Sequence, residues 1–124
     1  LIRITENPFD AAGVWVIPIR VMHGKLPILG FRIGGFAYLT DLKYISDEEV
    51  MKLQGLDVLV IDALRKGHHP SHEGIEDALE NIKRISPKKA YLIHMSHRIG
   101  LHEKIEKELP TNVYYAYDGL VINC

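Results

Sequence analysis

The stretch Tyr91-Leu92-Ile93-His94-Met95-Ser96-His97 decides the fold of this 124-residue chain, because it is a short apolar run that ends in two histidines. Such a run predicts a buried strand that carries imidazole groups to its C-terminal end. Two earlier stretches, from Val16 to His23 and from Gly35 to Asp41, have the same form. Ligands of open α/β sheets bind outside the carboxyl ends of the strands, so these ends predict one shared site.

The length and composition predict a single domain, residues 1–124, with a core of its own. Hydrophobic residues make up 47% and charged residues 25%, which is typical of soluble globular proteins and excludes disorder and a membrane span. A formal net charge of -1 gives no general attraction to nucleic acid. The single cysteine, Cys124, allows no internal disulfide, so we expect a cytoplasmic protein. The chain begins with Leu1 and has no signal-peptide pattern, so we also expect a fragment or a trimmed product.

The apolar pattern predicts a mixed α/β fold whose first third is an antiparallel sheet and whose second half alternates strands and helices. Pro18 cannot donate a ladder hydrogen bond, which predicts an edge or a bulge in its strand. Ser46-Asp47-Glu48-Glu49 matches a capping box, and Ser71 is the predicted N-cap of the longest helix. Strands are predicted over residues 1–6, 13–22, 28–33, 36–40, 58–61, 89–93, 113–117 and 120–122, with a hairpin at Asp118-Gly119, and helices over 46–53, 72–85 and 101–109.

The longest predicted helix, residues 72–85, has a clear division into two faces. One face is apolar and faces the core, and the other is mainly charged or polar, with Asn81 among the residues that face solvent. The members of the apolar face are Ile75, Ala78, Leu79, Ile82 and Ile85.

His23, Asp41 and His94 form the first candidate site, because each is the first polar residue at or near the end of a predicted strand. Imidazole and carboxylate are ligands of Zn²⁺, Mn²⁺ and Fe²⁺, and an aspartate can bridge two ions. Each residue also has a structural interpretation, as a hydrogen-bonded strand end or, for Thr40-Asp41, as a turn starter. Asp62 ends its strand in the same way, and it either caps the next loop or orients a ligand from behind.

His72 stands at the start of a predicted helix, where the helix dipole favours a neutral ring or a nearby anion. It could donate a proton only if phosphate or a carboxylate, such as Glu73 or Asp62, offset that dipole. His97 either faces an anionic substrate or holds its loop. The remaining histidines, His68, His69 and His102, are interpreted as solvated.

Together these motifs resemble the metallo-β-lactamase superfamily, and within it the phosphodiesterase branch that includes cyclic-phosphate diesterases and transfer-RNA 3′-end processing endonucleases. The resemblance runs from about Val16 to Ile122 and rests on order and spacing together. Its carriers are His23 after a strand, Phe36-Ala37-Tyr38-Leu39-Thr40-Asp41, Val58-Leu59-Val60-Ile61-Asp62, Ser71-His72-Glu73, Leu92-Ile93-His94-Met95-Ser96-His97 and Tyr117-Asp118-Gly119-Leu120.

The resemblance implies a site with two divalent ions, Zn²⁺ or Mn²⁺. His23 would bind one ion, His94 the other, and Asp41 would bridge them. His72 would donate a proton to the leaving oxygen or contact the phosphate, and His97 would lie close to the substrate. The two ions would lower the pKa of a bridging water, which makes hydroxide available for attack on phosphorus.

The first-half signature of the family, His-x-His-x-Asp-His, is absent from these 124 residues. The chain therefore resembles the C-terminal half of the full four-layer αββα sandwich. We expect it to be inactive alone, and to form a homodimer or to associate with the missing N-terminal half.

Three functions remain open. The first is hydrolysis of a small cyclic phosphate or a phosphate diester, with RNA as an alternative substrate and no membrane partner. The second, from a different class, is a non-catalytic interaction domain whose histidines are structural. The third is hydrolysis of a thioester or a β-lactam by the same superfamily, which the Ser71-His72-Glu73 motif disfavours.

Overall fold

The computed structural model describes residues 3–64, 74–94 and 109–123, and within these ranges the chain forms one seven-stranded mixed sheet and two helices. The strands lie in the sheet in chain order. Pairing is antiparallel from the first to the fourth strand and parallel from the fourth to the seventh, so the predicted fold class is confirmed. The elements are β1 (Phe9–Ala11), β2 (Val14–His23), β3 (Leu26–Ile33), β4 (Phe36–Leu39), α1 (Asp47–Met51), β5 (Val58–Asp62), α2 (Ile75–Ile85), β6 (Lys89–Ile93) and β7 (Val113–Tyr115).

The first hairpin corrects the prediction for the start of the chain. Ala12 and Gly13 both have positive φ, 54° and 86°, as a two-residue turn requires when it joins strands with a right-handed twist. This turn pairs β1 with the first three residues of β2. The predicted strand over residues 1–6 is wrong for residues 3–6, which are exposed and lie outside any strand. Residues 3–6 alternate apolar and polar side chains, but they pair with none of the described strands.

The sequence predicts that the strand of Pro18 lies at an edge or carries a bulge, and the structure shows a local edge inside the sheet. β1 pairs only with residues 14–16 of β2, so at Pro18 that side of β2 has no partner strand among the described residues. The backbone N–H groups of Arg20 and Met22 point to the same side of β2 as the nitrogen of Pro18. Arg20 N–H donates to Glu49 Oε2 at 2.9 Å, and Met22 N–H donates to the Tyr44 carbonyl at 2.9 Å. Helix α1 and the loop before it therefore protect this edge of β2.

Helix α1 has half of the predicted capping box. Ser46 is the N-cap, and its hydroxyl accepts from the Glu49 backbone N–H at 3.4 Å. Glu49 is 4% exposed, and its carboxylate accepts instead from Arg20 N, and from Lys52 Nζ at 2.8 Å. The reciprocal bond of the box is therefore replaced by a link between α1 and β2.

Strand β5 is buried along its whole length, as predicted for a strand covered on both faces. Helix α2 begins at Ile75 rather than at His72, because Gly74 is extended (φ -78°, ψ 172°) and serves as the N-cap. The predicted apolar face is confirmed, with Leu79 only partly buried. Asn81 was predicted to face solvent but is 8% exposed, and Arg84 Nη1 donates to its side-chain oxygen at 2.6 Å.

The end of the chain differs from the prediction. β7 pairs in parallel with β6, and residues 120–122 form no strand, so the predicted terminal hairpin is wrong. The turn itself is present: Gly119 has φ 86°, and the Leu120 N–H donates to the Tyr117 carbonyl at 3.0 Å. Val121 is 79% exposed, whereas Leu120 and Ile122 are partly buried. The predicted helix over 101–109 lies outside the described residues except for its last position.

The two faces of the sheet have different surroundings. One face packs against the helices and forms the core with residues such as Ile19, Leu39, Leu59, Ile61 and Leu92. The opposite face carries a row of side chains in cross-strand register, in which the Tyr91 and Tyr114 rings stack at 5.4 Å between centroids. The row consists of Pro18, Phe31, Tyr38, Val60, Tyr91 and Tyr114. Neither described helix is long and apolar enough to cross a membrane.

Gly30 is required where β3 passes close to β4. A Cβ at this position would lie 2.5 Å from Leu39 Cδ2 and 2.9 Å from the Tyr38 carbonyl oxygen. Gly30→Ala is expected to lower the free energy of unfolding by about 1–3 kcal/mol, because the backbone must shift to accept the methyl group. Urea denaturation measures this, and an unchanged or raised stability would contradict the close approach of the two strands.

Candidate active site

Four candidate residues lie at one edge of the sheet because of the strand directions. β2 and β4 are each antiparallel to β3, and β4, β5 and β6 are parallel, so these four strands end at the same edge. His23 and Asp62 are the last residues of β2 and β5, and Asp41 and His94 follow β4 and β6. The sequence pattern predicted this shared edge, and the topology confirms it.

Asp41 and His94 are the pair that the structure brings into contact. Their strands flank β5, a separation of about 10 Å for two strand spacings. Asp41 Oδ1 nevertheless lies 4.0 Å from His94 Nδ1, since the two side chains lean toward each other across the end of β5. The side chains are 41% and 39% exposed, respectively. A half-exposed carboxylate and imidazole at this distance can share one cation or one substrate proton.

Both residues also have unusual backbone conformations. Asp41 has φ 56° and His94 has φ 63°, in the left-handed region that costs a residue with a side chain of order 1–3 kcal/mol. The other residues with side chains at positive φ among those described, Ala12 and Ser86, lie in a hairpin turn and at a helix C-cap. Such strain concentrates at functional sites, where the conformation aims a side chain.

Asp62 holds the loop that follows Asp41. It is 0% exposed, and its Oδ1 accepts from the Leu42 backbone N–H at 3.0 Å. The sequence left two roles open for this residue, a cap of the loop that follows β5 or support for a ligand. The observed bond instead caps the loop that follows β4, which contains the candidate ligand Asp41.

His23 is connected to the same loop through the backbone. The residue before it, Met22, accepts from Lys43 N at 2.7 Å and from Tyr44 N at 3.2 Å. Thr40 adds a hydroxyl, Oγ1, at 3.4 Å from Asp41 Oδ2. From the sequence, Thr40 had only a possible role in a turn. The bond from the Leu42 N–H to Asp62 could not be predicted, because every residue except proline has a backbone N–H and the sequence does not single this one out.

The donor set fits a divalent ion only in part. Carboxylate and imidazole suit Zn²⁺ or Mn²⁺. Within residues 3–64, 74–94 and 109–123, however, no three His, Cys, Asp or Glu side chains come close enough to hold an ion. His23 thus shares the edge without joining Asp41 and His94 in a three-ligand group. The predicted proton donor, His72, and the predicted substrate contact, His97, lie outside the described residues, as do His68, His69 and His102.

Comparison with known proteins identifies relatives of this chain. The profile of the β-lactamase superfamily domain matches residues 3–95. A diphosphatase of the PhnP family, known from its crystal structure, is 36% identical and superposes with a TM-score of 0.91. The match covers 95% of this chain and 46% of that one. The short form of human tRNase Z superposes with a TM-score of 0.73 over 95% of this chain and 46% of its own, and at 23% identity this likeness concerns the fold alone.

A curated relative has a different name. An octanoyltransferase of Porphyromonas gingivalis is 45% identical over 116 residues, which are 93% of this chain and 24% of that protein. The chain thus spans about half the length of the two solved structures and about a quarter of the octanoyltransferase.

Proposed function

Since this chain belongs to the metallo-β-lactamase superfamily of metal-dependent hydrolases, we propose that it forms part of an enzyme that cleaves phosphodiesters, with a small cyclic or diester phosphate as substrate. The observation that carries the proposal is the Asp41–His94 pair, a carboxylate and an imidazole 4.0 Å apart at the end of β5, both of types that bind metal ions. The name of the 36% identical relative, a diphosphatase, supports chemistry at phosphorus. RNA is the alternative substrate within this proposal.

Each residue then has a defined task. Asp41, His94 and His23 would hold two divalent ions, zinc or manganese, which would supply a hydroxide near neutral pH and offset charge on the phosphoryl oxygens. Asp62 holds the loop behind Asp41. His72 would give a proton to the departing oxygen, and His97 would contact the substrate.

We also propose that the chain is inactive without further ligands from its own upstream sequence or from a second copy. In the described residues two donors approach one another and a third shares the edge, whereas a catalytic zinc ion commonly takes three protein ligands. The apolar row that includes Tyr38, which is 43% exposed, offers a surface for such an association. A cytoplasmic location is part of the same proposal and rests on the single cysteine.

The test uses this chain and the full-length product of the gene that encodes it. Both are stripped with a chelator, supplied with Zn²⁺ or Mn²⁺, and assayed with bis(p-nitrophenyl) phosphate. The proposal expects hydrolysis by the full-length product that is lost on chelation and restored by metal, and no turnover by the 124-residue chain. Metal-independent hydrolysis, or none in any form, would contradict it.

One finding favours a second candidate function, the hydrolysis of an acyl thioester. The relative at 45% identity is named an octanoyltransferase, and the match lies within a quarter of its length. An octanoyl thioester in the same assay separates the candidates, because a thioesterase would prefer it over the phosphodiester. The third alternative, an interaction domain, predicts neither activity and no metal requirement.

A further inference from the structure

Asp62 lies between the two candidate ligands in the sheet. It ends β5, the strand between β4 and β6, and its carboxylate is fully buried. A carboxylate removed from water is costly unless hydrogen bonds stabilise it. Its Oδ1 receives one such bond, from Leu42 N at 3.0 Å.

That bond fixes the peptide group directly after Asp41. The Leu42 side chain is 0% exposed in the core, so the residue is held by its side chain on one side and by its N–H on the other. Asp41 has the strained φ of 56° immediately before this fixed point. An unheld loop could relax to a conformation without that strain, and the carboxylate of Asp41 would then turn away from its present direction.

Asp62 is also coupled to the other ligand through the backbone. The N–H of the next residue, Ala63, donates to the Ile93 carbonyl at 2.9 Å, and Ile93 directly precedes His94. The side chain of Asp62 thus holds the residue after one candidate ligand, and its neighbouring backbone holds the residue before the other. Each connection is thus one residue away from a member of the Asp41–His94 pair, whose side chains lie 4.0 Å apart.

We propose that Asp62 is the positioning residue that sets the separation of the Asp41 and His94 side chains, acting through the Leu42 N–H. The inference rests on the proposed function, because a fixed separation matters only if the pair binds an ion. The inference concerns the hydrogen-bond acceptor that Asp62 supplies to the Leu42 N–H, which an amide oxygen at the same place would also supply.

The experiment compares Asp62→Ala with Asp62→Asn in the full-length gene product. Asp62→Ala is expected to weaken Zn²⁺ or Mn²⁺ binding about 10- to 100-fold and to lower kcat/KM similarly, the usual cost of losing a group that orients a metal ligand. Asp62→Asn keeps an acceptor for Leu42 N and is expected to recover most of both. Amide hydrogen exchange at Leu42, which does not depend on activity, should be faster in Asp62→Ala than in Asp62→Asn.

Glu49 provides a matched control. It is also a buried carboxylate that accepts a backbone N–H, but its partner is Arg20 of β2, which is not next to Asp41 or His94 in the chain. Glu49→Ala is expected to lower the unfolding temperature while the folded protein keeps its affinity for metal. Equal losses of metal affinity in Glu49→Ala and Asp62→Ala would indicate a general structural effect and overturn the inference.

The remaining outcomes are distinct. Folded Asp62→Ala with wild-type metal affinity would overturn the inference alone. Loss of affinity in both Asp62→Ala and Asp62→Asn would also overturn it, because the charge rather than the acceptor would be required. A wild-type protein that binds no metal and hydrolyses no ester would overturn the proposed function, and the inference with it.

Discussion

Asp41→Ala or His94→Ala, made in the full-length gene product, is expected to lower kcat/KM for a phosphodiester by about a thousandfold or more. These side chains approach to 4.0 Å at the end of β5, and the proposed function places them on the ions that offset charge on phosphorus. Ionic stabilisation of this kind contributes several kcal/mol to the transition state, and each 1.4 kcal/mol corresponds to about a factor of ten.

Asp57 is the control for this prediction. It is also a carboxylate next to β5, but it precedes the strand and therefore lies at the opposite edge of the sheet, where it pairs with Lys88 at 2.6 Å. Asp57→Ala is expected to leave kcat/KM within a few-fold of the wild type. Activity that persisted in both Asp41→Ala and His94→Ala would remove these residues from the site.

Leu59→Ala is expected to lower the free energy of unfolding by about 2–5 kcal/mol, a large part of the stability of an ordinary domain. Leu59 is 0% exposed and is the second residue of β5, the strand that is buried along its whole length. Truncation there removes apolar contacts and leaves a cavity that the paired strands on both sides cannot close. Urea denaturation followed by circular dichroism measures the change.

Leu26 provides the same substitution without the burial. It begins β3 and is 60% exposed, so Leu26→Ala is expected to change stability by no more than about 0.5 kcal/mol. Equal effects of the two substitutions would contradict the assignment of β5 to the centre of the core.

The elements that sequence reasoning placed correctly are those with a strong local signal. β5 and β6 are continuous apolar runs bounded by polar residues, and α2 has an apolar face with a helical period. The apolar runs also predicted the shared edge, because Asp41 and His94 come just after the runs that form β4 and β6. Local pattern therefore predicted the shared edge before any pairing was known, and the roles of the residues there stay predictions.

The errors concern which segments pair as strands. Residues 3–6 alternate like a strand, but β1 pairs with β2 through the Ala12-Gly13 turn. Residues 120–122 follow a good turn signal, yet β7 pairs in parallel with β6. Pairing partners are decided by the whole sheet, and a local pattern carries no information about which strand is adjacent.

Two details of the polar groups were also beyond local pattern. Glu49 fits the capping box, but its carboxylate accepts a hydrogen bond from the backbone N–H of Arg20 in β2 instead. Gly74 is a permissive residue in sequence, and its extended conformation starts α2 three residues later than Ser71 and His72 suggested. A tertiary contact decided the first case and a backbone conformation the second.

The measurement that tests the central claim most directly is the metal content of the full-length gene product, determined by elemental analysis after chelation and reconstitution with Zn²⁺ or Mn²⁺. The account predicts two divalent ions per chain in the wild type and in Asp57→Ala, and loss of bound metal in Asp41→Ala and His94→Ala. A wild-type protein without bound metal, or an Asp41→Ala, His94→Ala double variant with full metal content, would contradict it.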